Sequence, residues 1–389
     1  AEDQVIGATG VPVEGDPGWT CAAVTGRGPV SLQRMAYGAP APDPLGLLAG
    51  EPAPGRKRVR WRAEQVHHFA WSTSPDYRYE GGEWEGVAIH VLYQPGDTAW
   101  DDGVVVERSR TVLAWYSELF GERYPYPQFT NLHRIESGGT EFPMLVMNGS
   151  PSLGLIAHEA AHQWAHAILA NNEWREAWLD EGMASFLNQW FMEAHGRPAD
   201  WGKSLDQLAQ GPERDPRRLP VATPAHEFPD YNAYGRATYA KGSAVLYMLR
   251  ELLGADVFRE GLRRYYAANR FRHVSERELR EAMESASGRD LGWFFHQWLH
   301  TTAQLDYRLG TVETRPRDGG GWTTTVEVLW TGEAWMPVTL AVDGEQRVLN
   351  ARERRQLVRV DTAERPRVVE LDPARVILDL DRSNNRWTP

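Results

Sequence analysis

Residues 153–170 read LGLIAHEAAHQWAHAILA, and the seven residues HEAAHQW inside them decide how the rest of the chain is read. On a helix each residue turns about 100°, so His158 and His162 lie only about 40° apart on one face. Two imidazoles one turn apart can reach a single ion at zinc–nitrogen distances of about 2.0–2.1 Å. Glu159 falls beside that face, where it can reach a water on the metal without ligating the metal itself. A hydrolytic zinc site needs three protein ligands and one open position. The segment WREAWLDEGMASF (174–186) offers the third in Glu181, 19 residues after His162, at the start of an apolar-periodic helix. Asp180 before it has two readings, an N-cap carboxylate or an acid that orients a histidine ligand.

The 389 residues suit two or three domains, and 42% hydrophobic content is ordinary for a soluble chain. A net charge of −11, with no dense basic tract, argues against a nucleic-acid partner. No apolar run is long enough to span a membrane. Cys21 is the sole cysteine, which excludes an internal disulfide and a cysteine-based zinc site. Compartment stays open between cytoplasmic and exported. Lysine is nearly absent beside arginine, a bias that says little about function.

Three textures follow one another. Residues 1–97 are rich in Gly and Pro, with strand-like runs at RKRVRWRAEQVHHFAW (56–71) and EGVAIHVLYQ (85–94) and a connector at APAPDPLGLLAGEPAPG (39–55). Helical periodicity dominates 98–303, from VVVERSRTVLAWYSELFG (104–121), broken by YPYPQ, to LGWFFHQWLHTT (291–302). From 304 to 389, TTTVEVLW, MPVTLAVDG, RQLVRVD and RVVELD are short strands punctuated by turn residues, a spacing suited to a small β-sandwich.

H-E-x-x-H followed after 18 residues by Glu resembles the zinc aminopeptidase N family, which also contains an epoxide hydrolase acting on a leukotriene. GGTEFPMLV (138–146) resembles the family's Gly-x-Met-Glu-Asn segment in its Gly-Gly-Met-Glu-Tyr-Pro form, and TYAKGSAVLYML (238–249) its Tyr-x-Lys-Gly segment. RAEQVHHFAWSTSPDY (62–77) and FFHQWL (294–299) resemble flanking segments of bacterial members, so the likeness runs from about residue 56 to the C-terminus. It implies an α+β chain: the back half of a β-rich N-terminal domain (1–97), a thermolysin-like zinc domain (98–303) and an immunoglobulin-like β-sandwich (304–389).

The resemblance also assigns roles. One Zn2+ per chain is expected on His158, His162 and Glu181, polarising the scissile carbonyl and acidifying a water whose proton Glu159 takes and passes to the leaving amine. Tyr239 matches the family's oxyanion-stabilising tyrosine, with Tyr231 and Tyr234 as competing candidates. Glu141 matches the glutamate that binds a substrate's α-amino group, and Gly138 and Gly139 would let a peptide backbone approach a strand edge. Thr140 and Phe142 depart from the family's pattern and put the shape of that pocket in question. Glu136 is a second amine candidate or a plain surface acid. His67 and His68, adjacent in a strand-like run, would point to opposite faces and not share a metal. His166 falls on the imidazole face, where Glu181 already fills the third position.

The implied activity is release of N-terminal residues from peptides with a free amine. The alternatives are a zinc endopeptidase, a non-peptide hydrolase, or a non-catalytic assembly subunit. Family members place about twice as much chain before the metal motif as the 157 residues here. Half a β-domain leaves strand edges that want a partner, so pairing with a second chain or a copy is expected.

Overall fold

The structure is a computed structural model that describes residues 1–19 and 50–389; Cys21 and residues 39–49 of the expected connector lie outside them. The chain folds into two compact units. The first comprises Ala1–Asn171, Leu187–Gly196 and Leu262–Val274; the second comprises Asn172–Phe186, Arg197–Gly261 and Ser275–Pro389.

In the first unit, β1 (Val5–Ala8) pairs with β4 (Trp71–Ser74) and β2 (Val11–Glu14) with β3 (Arg60–Arg62), both antiparallel. The main sheet has five strands: β5 (Arg78–Trp84), β6 (Val87–Tyr93), β7 (Gln128–His133), β8 (Gly139–Phe142) and β9 (Leu145–Asn148). Their spatial order is β5-β6-β7-β9-β8. The parallel pairs β6–β7 and β7–β9 form its centre, and antiparallel β5 and β8 form its edges. The sheet therefore runs across residue 97, where the composition changes, because parallel pairing joins segments distant in sequence.

Helix α1 (Val104–Phe120) is the crossover between β6 and β7 and ends at Gly121, whose positive φ of 77° lets its N–H cap the last turn. Its apolar stripe buries Val105, Val112, Leu113, Tyr116, Leu119 and Phe120. Helix α2 (Leu153–His162) follows β9; Ser152 caps it by accepting from Leu155 N–H at 3.3 Å. The Tyr116 hydroxyl donates to Ala157 C=O at 2.9 Å, tying α2 to α1. Beyond α2, β10 (Leu169–Asn171) pairs in parallel with β11 (Arg272–Val274).

Strands β7–β9 sit within the stretch where helical periodicity dominates the sequence. Their centre is polar yet buried: Gln128 donates to Gly10 C=O at 2.9 Å, Thr130 to Gln128 at 2.7 Å, and Asn131 to Ser109 at 2.9 Å. Asn148 donates to Asn131 at 3.1 Å. Each of these side chains makes at least one hydrogen bond, which offsets much of the cost of burying it.

The remaining helices are α3 (Met183–Ala194), α4 (Trp201–Gln210), α5 (Tyr231–Gly235), α6 (Gly242–Leu253), α7 (Ala255–Asn269), α8 (Glu276–Ser287) and α9 (Gly292–His300). Ser275 and Glu278 cap α8 reciprocally. The C-terminal part of the second unit contains two antiparallel sheets. One is β12 (Tyr307–Pro316), β13 (Trp322–Trp330) and β16 (Arg355–Thr362), in the order β12-β13-β16. The other is ordered β15-β14-β17-β18, from β14 (Val338–Val342), β15 (Glu345–Leu349), β17 (Val369–Leu371) and β18 (Arg386–Trp387). Alternate residues of β13 (Thr324, Val326, Val328) are buried, the period of a sheet with one covered face.

Candidate metal centre

Helix α2 places His158, Glu159 and His162 as the helical period requires. Glu159 and His162 are buried and His158 is half-buried. The two Nε2 atoms lie 3.3 Å apart, with the rings edge to face. Two ligands about 2.0–2.1 Å from a tetrahedral ion would be about 3.3–3.4 Å apart, so the pair fits one zinc ion without rearrangement.

Glu141, on edge strand β8, comes to the same place. One donor atom each from Glu141, Glu159 and His162 lie within 4.8 Å of one another. Two carboxylates this close repel unless a cation or a proton stands between them. Gly139 makes this approach possible for a reason other than the one expected. A Cβ there would stand 2.6 Å from Cγ of Glu159 and closer still to its carboxyl group, so the missing side chain leaves the space that Glu159 occupies. Gly138 has φ +84° and open space around it; its role is the turn into β8. Thr140, where the family pattern has Met, bonds to the strand itself: Arg134 donates to it at 3.1 Å and it donates to Gly139 C=O at 2.7 Å. Glu136 is an exposed acid ion-paired with Arg134 at 3.7 Å.

Gln163, directly after the second histidine, was not singled out from sequence. It is fully buried. Its Nε2 donates to Phe142 C=O at 3.0 Å, while its Oε1 accepts from Met144 N–H at 2.8 Å and from the Tyr124 hydroxyl at 3.0 Å. It thus clamps both sides of the β8–β9 turn, where Met144 has φ 61°, and fixes Glu141's strand to the end of α2. A lone amide in an otherwise apolar run was the available signal.

The second unit holds Glu181 and Tyr239. Residues Trp178–Gly182 form a π-helical turn that leads into α3, and Arg236–Lys241 form another that leads into α6. A third, Gln163–Ile168, follows His162. Widened turns of this kind recur at functional sites because they re-aim side chains. The Tyr239 hydroxyl donates to Oε1 of Glu181. Burial, then the adjacent Glu181 carboxylate, raises the tyrosine's pKa well above its ordinary value, so it stays a proton donor. Tyr234 stacks edge to face on Tyr239, with centroids 5.9 Å apart, and Tyr231 is exposed. Gly182 permits close packing: a Cβ there would stand 2.8 Å from Thr238 C=O. Lys241 and Glu213, both buried, pair at 2.9 Å and anchor the turn that carries Tyr239. Asp180 is not an N-cap; Ala177 holds that position and Asp180 is buried inside the turn.

Paired imidazoles and a buried glutamate on one helix, beside an acid-bearing edge strand, are the pattern that metal-dependent hydrolases use. Residues 105–298 match the peptidase family M1 domain. The chain is 26% identical over 243 residues to aminopeptidase N of Lactobacillus helveticus, covering 55% of this chain and 28% of that protein. It is 28% identical over 268 residues to the puromycin-sensitive aminopeptidase of Caenorhabditis elegans, covering 62% and 27%. The alignments thus span little more than a quarter of these relatives' length. The fold is similar to that of Legionella pneumophila aminopeptidase A, crystallised with aspartic acid, with a TM-score of 0.68 and 15% identity over 94% of this chain and 42% of that one. The chain belongs to peptidase family M1, the zinc aminopeptidase N family.

Proposed function

We propose that the chain is a zinc-dependent aminopeptidase that releases N-terminal residues from peptides with a free amine, with one zinc held by His158, His162 and Glu181. The observation that carries this reading is Glu141, whose carboxylate shares a space of a few ångströms with Glu159 and His162. An endopeptidase has no need of a buried-side acid so close to its general base; a substrate ammonium does need such a partner.

Zinc, when bound, supplies Lewis acidity and lowers the pKa of water. The chain's own residues do the rest. Glu159 takes the proton of the attacking water and returns it to the leaving amine. Glu141 pairs with the substrate's ammonium and thereby sets the cut one residue from the end. Tyr239, kept protonated, donates to the oxygen on which charge develops, exchanging Glu181 for substrate. The edge strand Gly139–Phe142 is available to a substrate backbone.

The finer architecture belongs to the same proposal: a thermolysin-like zinc domain within 98–303, preceded by a β-rich region and followed, from 304, by an immunoglobulin-like sandwich. Pairing with a second chain or a copy would cover strand edges of β1–β4 that have no neighbour among the described residues, and a monodisperse monomer in sedimentation at micromolar concentration would count against it. Among the described residues no helix is long and apolar enough to cross a membrane.

A matched pair of peptides, one free and one N-acetylated, tests the function with and without a chelator. Stepwise, chelator-sensitive loss of single residues from the free peptide alone is the expected result. Equal cleavage of both would remove the amine anchor and leave an endopeptidase.

A further inference from the structure

The first unit brings together three histidines that take no part in the proposed reaction. His67 and His68 lie in the loop between β3 and β4, not in a strand, and His166 lies in the π-helical turn after α2. Freed from strand alternation, the adjacent His67 and His68 turn to the same side, contrary to the expectation that they point apart. The π-turn likewise moves His166 off the α-helical repeat that would have stacked it on His162. One nitrogen from each of the three lies within 4.8 Å of the other two.

We propose that His67, His68 and His166 form a second metal site, selective for a divalent cation that prefers nitrogen, of the zinc class. Three features carry this. The rings converge with centroids 4.6, 4.8 and 5.5 Å apart, and their planes cross at 67°, 81° and 44°. At these separations one nitrogen of each ring comes within reach of a common point. Second, His67 donates its Nε2 proton to His166 C=O at 3.0 Å. This fixes the tautomer that leaves Nδ1 as the acceptor, the arrangement in which metal-bound histidines are usually held. Third, His166 is buried whereas His67 and His68 are exposed. A rigid base with two outer imidazoles lets an ion enter from solvent and keep water in its open position.

The test is zinc stoichiometry of the whole chain, by equilibrium dialysis at micromolar free Zn2+ followed by metal analysis. The proposal expects two zinc ions in the parent chain and one in His68→Ala, with peptidase activity unchanged in that variant. It also expects one in His162→Ala, with activity abolished, which separates the two sites and keeps failure of one distinct from failure of the other. His67→Ala/His68→Ala guards against partial retention by two ligands and should also hold one. Equal zinc content in the parent and in His67→Ala/His68→Ala would overturn the second site whatever the fate of the first.

Discussion

Replacing Gly139 by alanine isolates the geometry of the general base. Gly139 lacks the left-handed φ that would make any side chain strained, so alanine fits the strand and its effect falls on what its Cβ meets. That Cβ would stand 2.6 Å from Cγ of Glu159, against ordinary contacts of 3.4–4 Å, with the carboxyl group nearer still. Either the strand or the glutamate must give way by about 1 Å, and Gln163 holds the strand by its hydrogen bond to Phe142 C=O. Misplacement of a catalytic group by about 1 Å costs on the order of 100-fold, or about 2.7 kcal/mol of transition-state stabilisation. The assay is kcat/KM on an aminoacyl anilide, with zinc content and thermal stability measured on the same preparation. A roughly 100-fold fall with zinc retained is expected. Gly138→Ala is the control: nothing stands near its Cβ, so it should lose about 1 kcal/mol of stability from its φ of +84° and leave Glu159 in place. If Gly139→Ala keeps kcat/KM within threefold of the parent, Glu159 is not the positioned base that this reasoning requires.

Tyr239→Phe should lower kcat by about 100- to 1000-fold with little change in KM, as loss of a transition-state donor does; a pure KM effect would assign the hydroxyl to holding Glu181 instead. Glu141→Gln should weaken free-amine substrates by roughly 10- to 150-fold and narrow their advantage over acetylated ones, read from kcat/KM for the two peptides. Gln163→Ala removes three buried hydrogen bonds, to Phe142 C=O, Met144 N–H and the Tyr124 hydroxyl, and should cost about 3–4 kcal/mol in denaturant unfolding. Lys241→Met leaves Glu213 buried without its cation and should cost about 3–5 kcal/mol; adding Glu213→Leu should recover most of it, which a double-mutant cycle would measure.

Much of the metal centre could be read in one dimension because helical spacing is a local property. The 3.3 Å between His158 and His162 Nε2 is the direct consequence of a four-residue interval, and α1 appears where its apolar period predicts. Strands β7 and β9 were illegible for the opposite reason. Gln128, Thr130, Asn131 and Asn148 look like loop residues until distant partners satisfy them. The strand-like run at 56–71 likewise holds one short strand, β3, and then the loop with His67 and His68 that leads into β4 at Trp71.

By itself, then, the sequence determined which helix carries the paired imidazoles, which carboxylate stands beside them, and the family to which such a pattern belongs. Those features depend on intervals of one to four residues, or on motifs kept intact within a segment. Only the tertiary structure decided that Gly139 exists to admit Glu159, that Gln163 locks the amine-side strand to α2, and that a histidine pair and His166, 99 residues apart, meet at one point. Contacts between segments so far apart leave no period in the chain, because they arise from packing and hydrogen-bond satisfaction and not from any local repeat.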